Sequence, residues 1–256
     1  MEAAISVIPP TFNNLGLATP ILEAIQSAGY TVPTPVQARA VPEAIKGRDL
    51  LVSSQTGSGK TAAFMLPALQ LLTQQHAQNG RGPRILVLTP TRELAQQVTK
   101  AADTYGRRMR VRTLSVVGGM PYPLQNRMLK IGVDILVATP GRLLDQMNSG
   151  RIDLARLQLL VLDEADRMLD MGFKDDLEAI VAKIPKTRQT MLFSATIEPG
   201  IVRLASTFLR DPLRIAVDSA QSRHANIEQR LHFADNMGHK TRLLEHGCLA
   251  GIAVRL

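Results

Sequence analysis

The sequence predicts a doubly wound α/β domain, with a mostly parallel central sheet and helices on both faces, and three observations carry that expectation. Seven short apolar runs recur along the chain, rich in β-branched residues and without polar alternation, as strands covered on both faces require. Segments with helical spacing separate them, and strand alternating with helix is the α/β pattern. Polar sequences follow the runs, where an open parallel sheet forms its ligand crevice. The chain has 256 residues, 45% of them hydrophobic, which is ample for a packed core.

The first strand is expected from Asp49 to Ser53 and the following helix from Thr61 to Gln75. Between them stands Gln55-Thr56-Gly57-Ser58-Gly59-Lys60-Thr61, a glycine-rich turn that lets backbone N–H groups curl toward phosphate oxygens. Lys60 would reach the β- and γ-phosphates, and the Thr61 hydroxyl would ligate Mg²⁺. Ser54 occupies the position where the general pattern has Gly.

Further strands are expected from Arg84 to Leu88, Arg112 to Val117, Asp134 to Ala138, Leu157 to Leu162, Thr190 to Phe193 and Leu213 to Val217. Helical spacing runs from Glu93 to Tyr105, Tyr122 to Lys130, Leu143 to Met147, Lys174 to Lys183 and Ile201 to Phe208. Asp163-Glu164-Ala165-Asp166 emerges from the Leu157 to Leu162 strand. A carboxylate there can hold the water shell of Mg²⁺, and the neighbouring Glu164 can orient and deprotonate an attacking water. An acidic tetrapeptide alone reads as a solvated turn; the buried strand before it and the phosphate loop upstream reverse that reading.

Thirty Lys and Arg against 22 Asp and Glu leave a formal charge of +8, which reads either as a surface that meets polyanions or as a merely soluble basic surface. Cys248 is the single cysteine and cannot form an internal disulfide. The segment Met-Glu-Ala-Ala-Ile-Ser has no basic stretch leading into an apolar one, and no apolar run approaches the roughly 20 residues of a membrane span. The cytoplasm is the expected compartment.

With these motifs in order, the sequence resembles the DEAD-box ATP-dependent RNA helicases, whose name residues 163 to 166 spell. The resemblance runs from Phe12 to Thr196 and implies a RecA-like P-loop NTPase lobe that uses ATP and Mg²⁺. Gly29-Tyr30-Thr31-Val32-Pro33-Thr34-Pro35-Val36-Gln37 is similar to the family's adenine-recognition motif, with Phe12 at its upstream aromatic position. A Gln carboxamide offers an acceptor and a donor that match adenine and mismatch guanine, so Gln37 would select ATP. Phe12 and Tyr30 would pack around the base; ordinary core packing is the stronger reading for Tyr30 and the weaker one for Phe12. By the resemblance, Asp166 bonds to the hydroxyls of Ser194 and Thr196 and couples nucleotide state to RNA binding. Three stretches would meet RNA: Pro90-Thr91-Arg92, Gly118-Gly119, and Thr139-Pro140-Gly141-Arg142. Each places small residues, a hydroxyl or an Arg where N–H groups at a helix start can bind phosphate, so RNA would be held without sequence preference. Arg107, Arg108, Arg110 and Arg112 read as a solvated loop rather than an extension of that surface.

By this reading residues 1–217 form the ATP-binding lobe, 218–226 an interlobe linker, and 227–256 the start of a second lobe. Ile227 to Ala234 resembles that lobe's opening strand, and Lys240 to His246 its first helix in the style of the bacterial RhlE-like branch. From Gly247 the family pattern is lost, so a truncated second lobe, poorly ordered, is expected. His224, His232, His239, His246 and Cys248 form no close ligand pairs, so an exposed tail is expected rather than a metal site. A monomeric RNA-stimulated ATPase lobe is the leading function, and a catalytically inactive RNA-binding or interfering fragment the alternative. A small-molecule kinase built on the same loop explains neither Gln37 nor the three phosphate-binding stretches.

Overall fold

The computed structural model describes residues 11–75 and 82–217, together with 235–236, 238–239 and 241–242. The chain divides into two compact units, residues 1–219 and 220–256. In the second, Asn236 Oδ1 accepts from the His239 N–H at 2.9 Å, and His239 Nδ1 lies 3.2 Å from the Asp235 carboxylate. The expected linker and the second-lobe strand lie outside the described residues.

In the first unit a 3-10 turn at Phe12–Leu15 precedes α1 (Thr19–Ser27) and α2 (Pro35–Ile45). Strand and helix then alternate: β1 (Leu50–Ser53), α3 (Lys60–Leu72), β2 (Ile85–Leu88), α4 (Arg92–Tyr105), β3 (Thr113–Val116), α5 (Tyr122–Ile131), β4 (Ile135–Ala138) and α6 (Pro140–Asn148). After β5 (Leu159–Leu162) come α7 (Ala165–Asp170), α8 (Lys174–Val181), β6 (Gln189–Ser194), α9 (Pro199–Phe208) and β7 (Leu213–Ala216). The seven strands form one sheet in the order β3-β4-β2-β5-β6-β1-β7, and every pairing is parallel.

Because successive strand residues point to opposite faces, two cores form. Leu50, Val52, Ile85 and Val87 face α1 to α4, where Ile21, Val41, Phe64 and Val98 pack against them. Leu51, Leu86, Leu88 and Leu162 face the other way, onto Leu143, Met168, Ile180 and Phe208 of α6 to α9. Phe64 and Phe193 meet edge to face at 5.3 Å, fixing α3 over β6. The helices therefore cover both faces, as the apolar runs predict.

All seven expected strands form, but β3 and β7 are not covered on both faces. β3 alternates buried and half-buried residues, and of β7 only Ile215 is buried, because both are edge strands. Three helices go unpredicted, α1, α2 and α7. The signal for α2 is legible in Thr34-Pro35-Val36-Gln37, where a Thr three residues before a Gln with Pro at the first turn spells a capping box. Thr34 Oγ1 accepts from the Gln37 N–H at 3.4 Å, and Gln37 Oε1 accepts from the Thr34 N–H at 3.0 Å. Among the described residues no helix is long and apolar enough to cross a membrane.

Candidate functional site

A parallel sheet puts all its strand carboxyl ends on one edge, and the strand order divides that edge in two. β5, β6 and β1 are neighbours, so the acidic tetrapeptide, Ser194-Ala195-Thr196 and the phosphate loop adjoin one another. β3, β4 and β2 are neighbours too, so the three stretches expected to meet phosphate adjoin one another beside the first group.

The phosphate loop turns through two left-handed glycines, Gly57 at φ +80° and Gly59 at φ +94°, and delivers Lys60 as the first residue of α3. Gln55, Thr56 and Gly57 are exposed, Ser58, Gly59 and Thr61 half-buried, and Lys60 buried. Gly59 is required by space as well as by φ: a Cβ there would come within 2.5 Å of Gln37 Nε2 and 3.0 Å of Thr34 Oγ1. Gln37 donates from Nε2 to the Gly59 carbonyl at 3.1 Å. Each end of its carboxamide is thus used once, by Thr34 and by Gly59, and each keeps one further hydrogen-bonding capacity. Lys60 Nζ donates to the Ser54 carbonyl at 2.9 Å, and Ser58 Oγ to Ser54 Oγ at 3.1 Å, so the loop satisfies its own polar groups. Ser54 also donates its N–H to the Ser194 carbonyl at 3.1 Å, tying the loop to β6.

The two aromatics sit opposite to expectation. Phe12 is 7% exposed and belongs to the core beside α2, whereas Tyr30 is 49% exposed and leans on the Tyr105 ring at 6.0 Å. The Asn-rich neighbourhood of Phe12 misled: the 3-10 turn at Phe12–Leu15 folds its apolar residues, Phe12 and Leu15, inward.

Asp163 leaves β5 with its N–H on the Leu88 carbonyl at 2.9 Å; it is 3% exposed, and its Oδ1 has no hydrogen-bond partner. Burial pushes its carboxyl up to about 7, against the pull of the Lys60 ammonium and with the push of Glu164 and Asp166. Glu164 stands in the left-handed region at φ +53° and ψ +51°, a conformation that a non-glycine residue holds only where its surroundings dictate it. Its carboxylate pairs with Arg167 at 3.2 Å.

Asp166 and the tripeptide after Phe193 are brought together, but only the Thr196 hydroxyl reaches the carboxylate: Ser194 Oγ is buried without a hydrogen-bond partner, and backbone N–H groups make most of the bonds. Asp166 Oδ2 accepts from the Ala195 and Thr196 N–H groups at 2.9 and 3.1 Å and from Thr196 Oγ1 at 3.3 Å, while Oδ1 accepts from the Arg167 N–H at 3.0 Å. Burial works to raise the Asp166 carboxyl, but the N–H groups of Arg167, Thr196 and Ala195 outweigh it and hold it below the ordinary value. Ser194 is fully buried as the last residue of β6, so the tripeptide begins on the strand and not after it.

On the other half of the edge, Thr91 caps α4 by accepting from the Leu94 N–H at 3.3 Å, with Pro90 buried and Arg92 exposed. Arg92 reaches the glycine pair: a Cβ on Gly119, at φ +76°, would meet its Nη1 at 3.2 Å, while Gly118 has open space. α6 begins at Pro140, earlier than expected, which makes Thr139 its N-cap and puts Gly141 and Arg142 in its first turn. Thr139 makes no side-chain cap bond there. Arg142 donates to the Met120 carbonyl at 3.0 Å, so all three stretches touch through Arg92–Gly119 and Arg142–Met120. The sequence reading has Thr34 in the adenine motif without its capping role, for which a local signal exists, and it gives no site role to Arg167 or Tyr122, for which none does.

No group of three or more His, Cys, Asp or Glu capable of holding a metal occurs among the described residues. The donor set suits a cation held by one carboxylate, a hydroxyl, water and phosphate oxygens, which is the Mg²⁺ pattern.

The family model for DEAD/DEAH box helicases matches residues 34–204, more than half of the chain. The chain is 48% identical over 220 residues to the ATP-dependent RNA helicase DeaD of Escherichia coli (strain K12), covering 86% of this chain and 34% of that protein. It is 43% identical over 237 residues to the ATP-dependent RNA helicase SrmB of the same strain, covering 92% of this chain and 53% of that protein. It is 44% identical over 211 residues to DEAD-box ATP-dependent RNA helicase 20 of Arabidopsis thaliana, covering 82% and 42%. The chain thus spans between a third and about half the length of these three relatives. It begins its match on the capping box that carries Gln37 and ends it within α9, beyond Ser194-Ala195-Thr196, and on these grounds the chain belongs to the DEAD/DEAH box helicase family.

Proposed function

We propose that residues 1–217 are the ATP-binding lobe of an RNA helicase, which binds ATP on the β5-β6-β1 half of the sheet edge and RNA backbone on the β3-β4-β2 half. The observation that carries the reading is Asp163, a buried carboxylate with an unused oxygen beside Lys60, at the mouth of a loop shaped for phosphate.

In this reading the adenine takes the remaining donor and acceptor of Gln37, with the exposed Tyr30 ring alongside and Phe12 supporting α2 from the core. The phosphates displace the Ser54 carbonyl from Lys60 and meet the N–H groups of Gln55 to Thr61. Thr61 and Asp163 would hold Mg²⁺, which when bound supplies positive charge against the β- and γ-phosphates. Glu164, held by its left-handed backbone, orients a water and takes its proton as the water oxygen attacks the γ-phosphorus and ADP leaves. Asp166 passes the state of the site to Ala195 and Thr196 through the bonds described above. Pro90, Thr91, Arg92, Gly118, Gly119, Thr139, Gly141 and Arg142 hold sugar and phosphate without reading bases. Residues 218–226 are proposed as an interlobe linker and 227–256 as the start of a second lobe. The narrower RhlE-like placement rests on Lys240 to His246, of which residues 241 and 242 are described. The cytoplasm is the proposed compartment.

Phosphate release from ATP, measured with and without single-stranded RNA, tests the reading. Release stimulated by RNA and abolished by Lys60→Ala or Glu164→Gln supports it. RNA binding without any release favours a non-catalytic RNA-binding role instead.

A further inference from the structure

One cluster on the edge is not explained by the motifs around it. Tyr122 opens α5, three residues beyond Gly119, and is 37% exposed. Two guanidinium groups converge on its ring: Arg142 from the first turn of α6, 4.3 Å from the centroid, and Arg151 from the loop after α6, at 5.5 Å. The tyrosine hydroxyl donates to the Asp145 carboxylate, which fixes the ring against α6. Arg151 is brought in by a turn through Gly150 at φ +65° and by its own N–H on the Gln146 carbonyl at 3.0 Å. It is exposed, and its guanidinium makes no hydrogen bond or ion pair among the described residues.

Two like charges gathered at one ring repel each other. The electron-rich ring face and the single Asp145 carboxylate offset that only in part, since two cations and one anion leave a positive surplus. Arg142 has spent one N–H on Met120, and Arg151 has spent none on hydrogen bonds among the described residues. An anion that takes N–H bonds from both relieves the repulsion and uses the donors, and a phosphodiester does so in the geometry guanidinium groups favour. The cluster lies beside Gly118-Gly119 and Thr139-Arg142, so a strand held there continues onto it.

We propose that Tyr122, Arg142 and Arg151 form one phosphate-binding station that carries the RNA path past the known motifs to Arg151, with Tyr122 as the residue that positions both arginines. This rests on the reading that the β3-β4-β2 half of the edge binds RNA. The station takes a phosphodiester of the RNA backbone and reads no base.

The test is the salt dependence of binding to a labelled single-stranded oligouridylate, followed by fluorescence anisotropy on the full chain. Each phosphate that the protein no longer neutralises makes the slope of log affinity against log salt shallower by about 0.7. Arg151→Ala weakens binding and reduces the slope by that amount, while Arg151→Lys keeps the slope. Tyr122→Phe retains the ring and the wild-type slope, and Tyr122→Ala reduces it at least as far as Arg151→Ala. Unchanged thermal midpoints in the Arg151 variants exclude misfolding. A wild-type slope in Arg151→Ala, with RNA bound normally by the parent, overturns the station alone. No binding by the parent overturns the RNA reading with it.

Discussion

Asp163→Asn in the nucleotide-free protein isolates the cost of the buried carboxylate. Asp163 is 3% exposed and its carboxyl is raised from 3.8 to about 7, chiefly by burial. The folded state therefore holds this proton where the unfolded chain has released it. On this account stability is greatest below the unfolded value, falls as the pH rises toward about 7, and levels off above it. The slope in that window is about 1.36 kcal/mol per pH unit, and the whole gap corresponds to about 4 kcal/mol. Between about pH 5.5 and pH 8.5 the wild type thus loses about 2 kcal/mol that an un-ionisable Asn does not lose. For a domain of this size that is about 4–8 °C in the thermal midpoint. Asn brings its own cost, an amide with no assured partner, but that offset is the same at both pH values. The readout is the difference between variant and wild-type midpoints, which should move in favour of Asn by that amount from the lower pH to the higher. An equal difference at both pH values would refute the claim that Asp163 is protonated by burial. Adding Lys60→Ala removes the one cation that lowers the Asp163 carboxyl and should extend the window to higher pH.

Gly59→Ala should unfold the protein at lower urea, by more than about 1 kcal/mol, and abolish binding of a fluorescent ATP analogue. Its new Cβ meets Gln37 Nε2 at 2.5 Å, whereas Gly57→Ala has nothing within 4 Å and should show the backbone cost alone. Equal losses at the two positions would remove Gln37 from the explanation. Thr34→Ala should cost about 1 kcal/mol in urea unfolding through the lost cap and narrow the preference for ATP over GTP in competition binding; a preserved preference would mean that Gln37 is held without it. Asp176→Asn should tighten RNA binding about two- to fivefold by anisotropy, because the carboxylate lies against Gly141, within 3.4 Å of where a Cβ would stand, at the N-terminus of α6. Unchanged or weaker binding would show that this helix end does not face the RNA.

What the sequence made legible is what chain topology alone dictates. Once the apolar runs read as parallel strands, the residues following each had to share an edge, and Lys60, Asp163, Thr91 and Thr139 do. The division of that edge into two halves was not legible, because strand order depends on how helices pack and not on any local pattern. Side-chain exposure was equally hidden: a 3-10 turn folds Phe12 into the core, whereas Tyr30 is only partly covered, beside a Tyr105 ring that lies far along the chain. Nor could the sequence reveal how the site is filled by its own groups. Gln37 donates from its amide to Gly59, Lys60 donates from its ammonium to Ser54, and the Thr91 hydroxyl accepts from the Leu94 N–H. For Gln37 and Lys60 the partner is a backbone carbonyl, an uncharged acceptor that a base or a phosphate can replace while the bond count is kept. In the proposed ATP-bound state Lys60 exchanges a neutral acceptor for an anionic one, which favours the ligand without leaving a buried ammonium unsatisfied in its absence. Asp163 is the exception, since its Oδ1 has no partner to exchange. A proton serves there instead, so whatever cation the site takes must displace it, and the affinity for that cation should rise with pH up to about 7 and then level off.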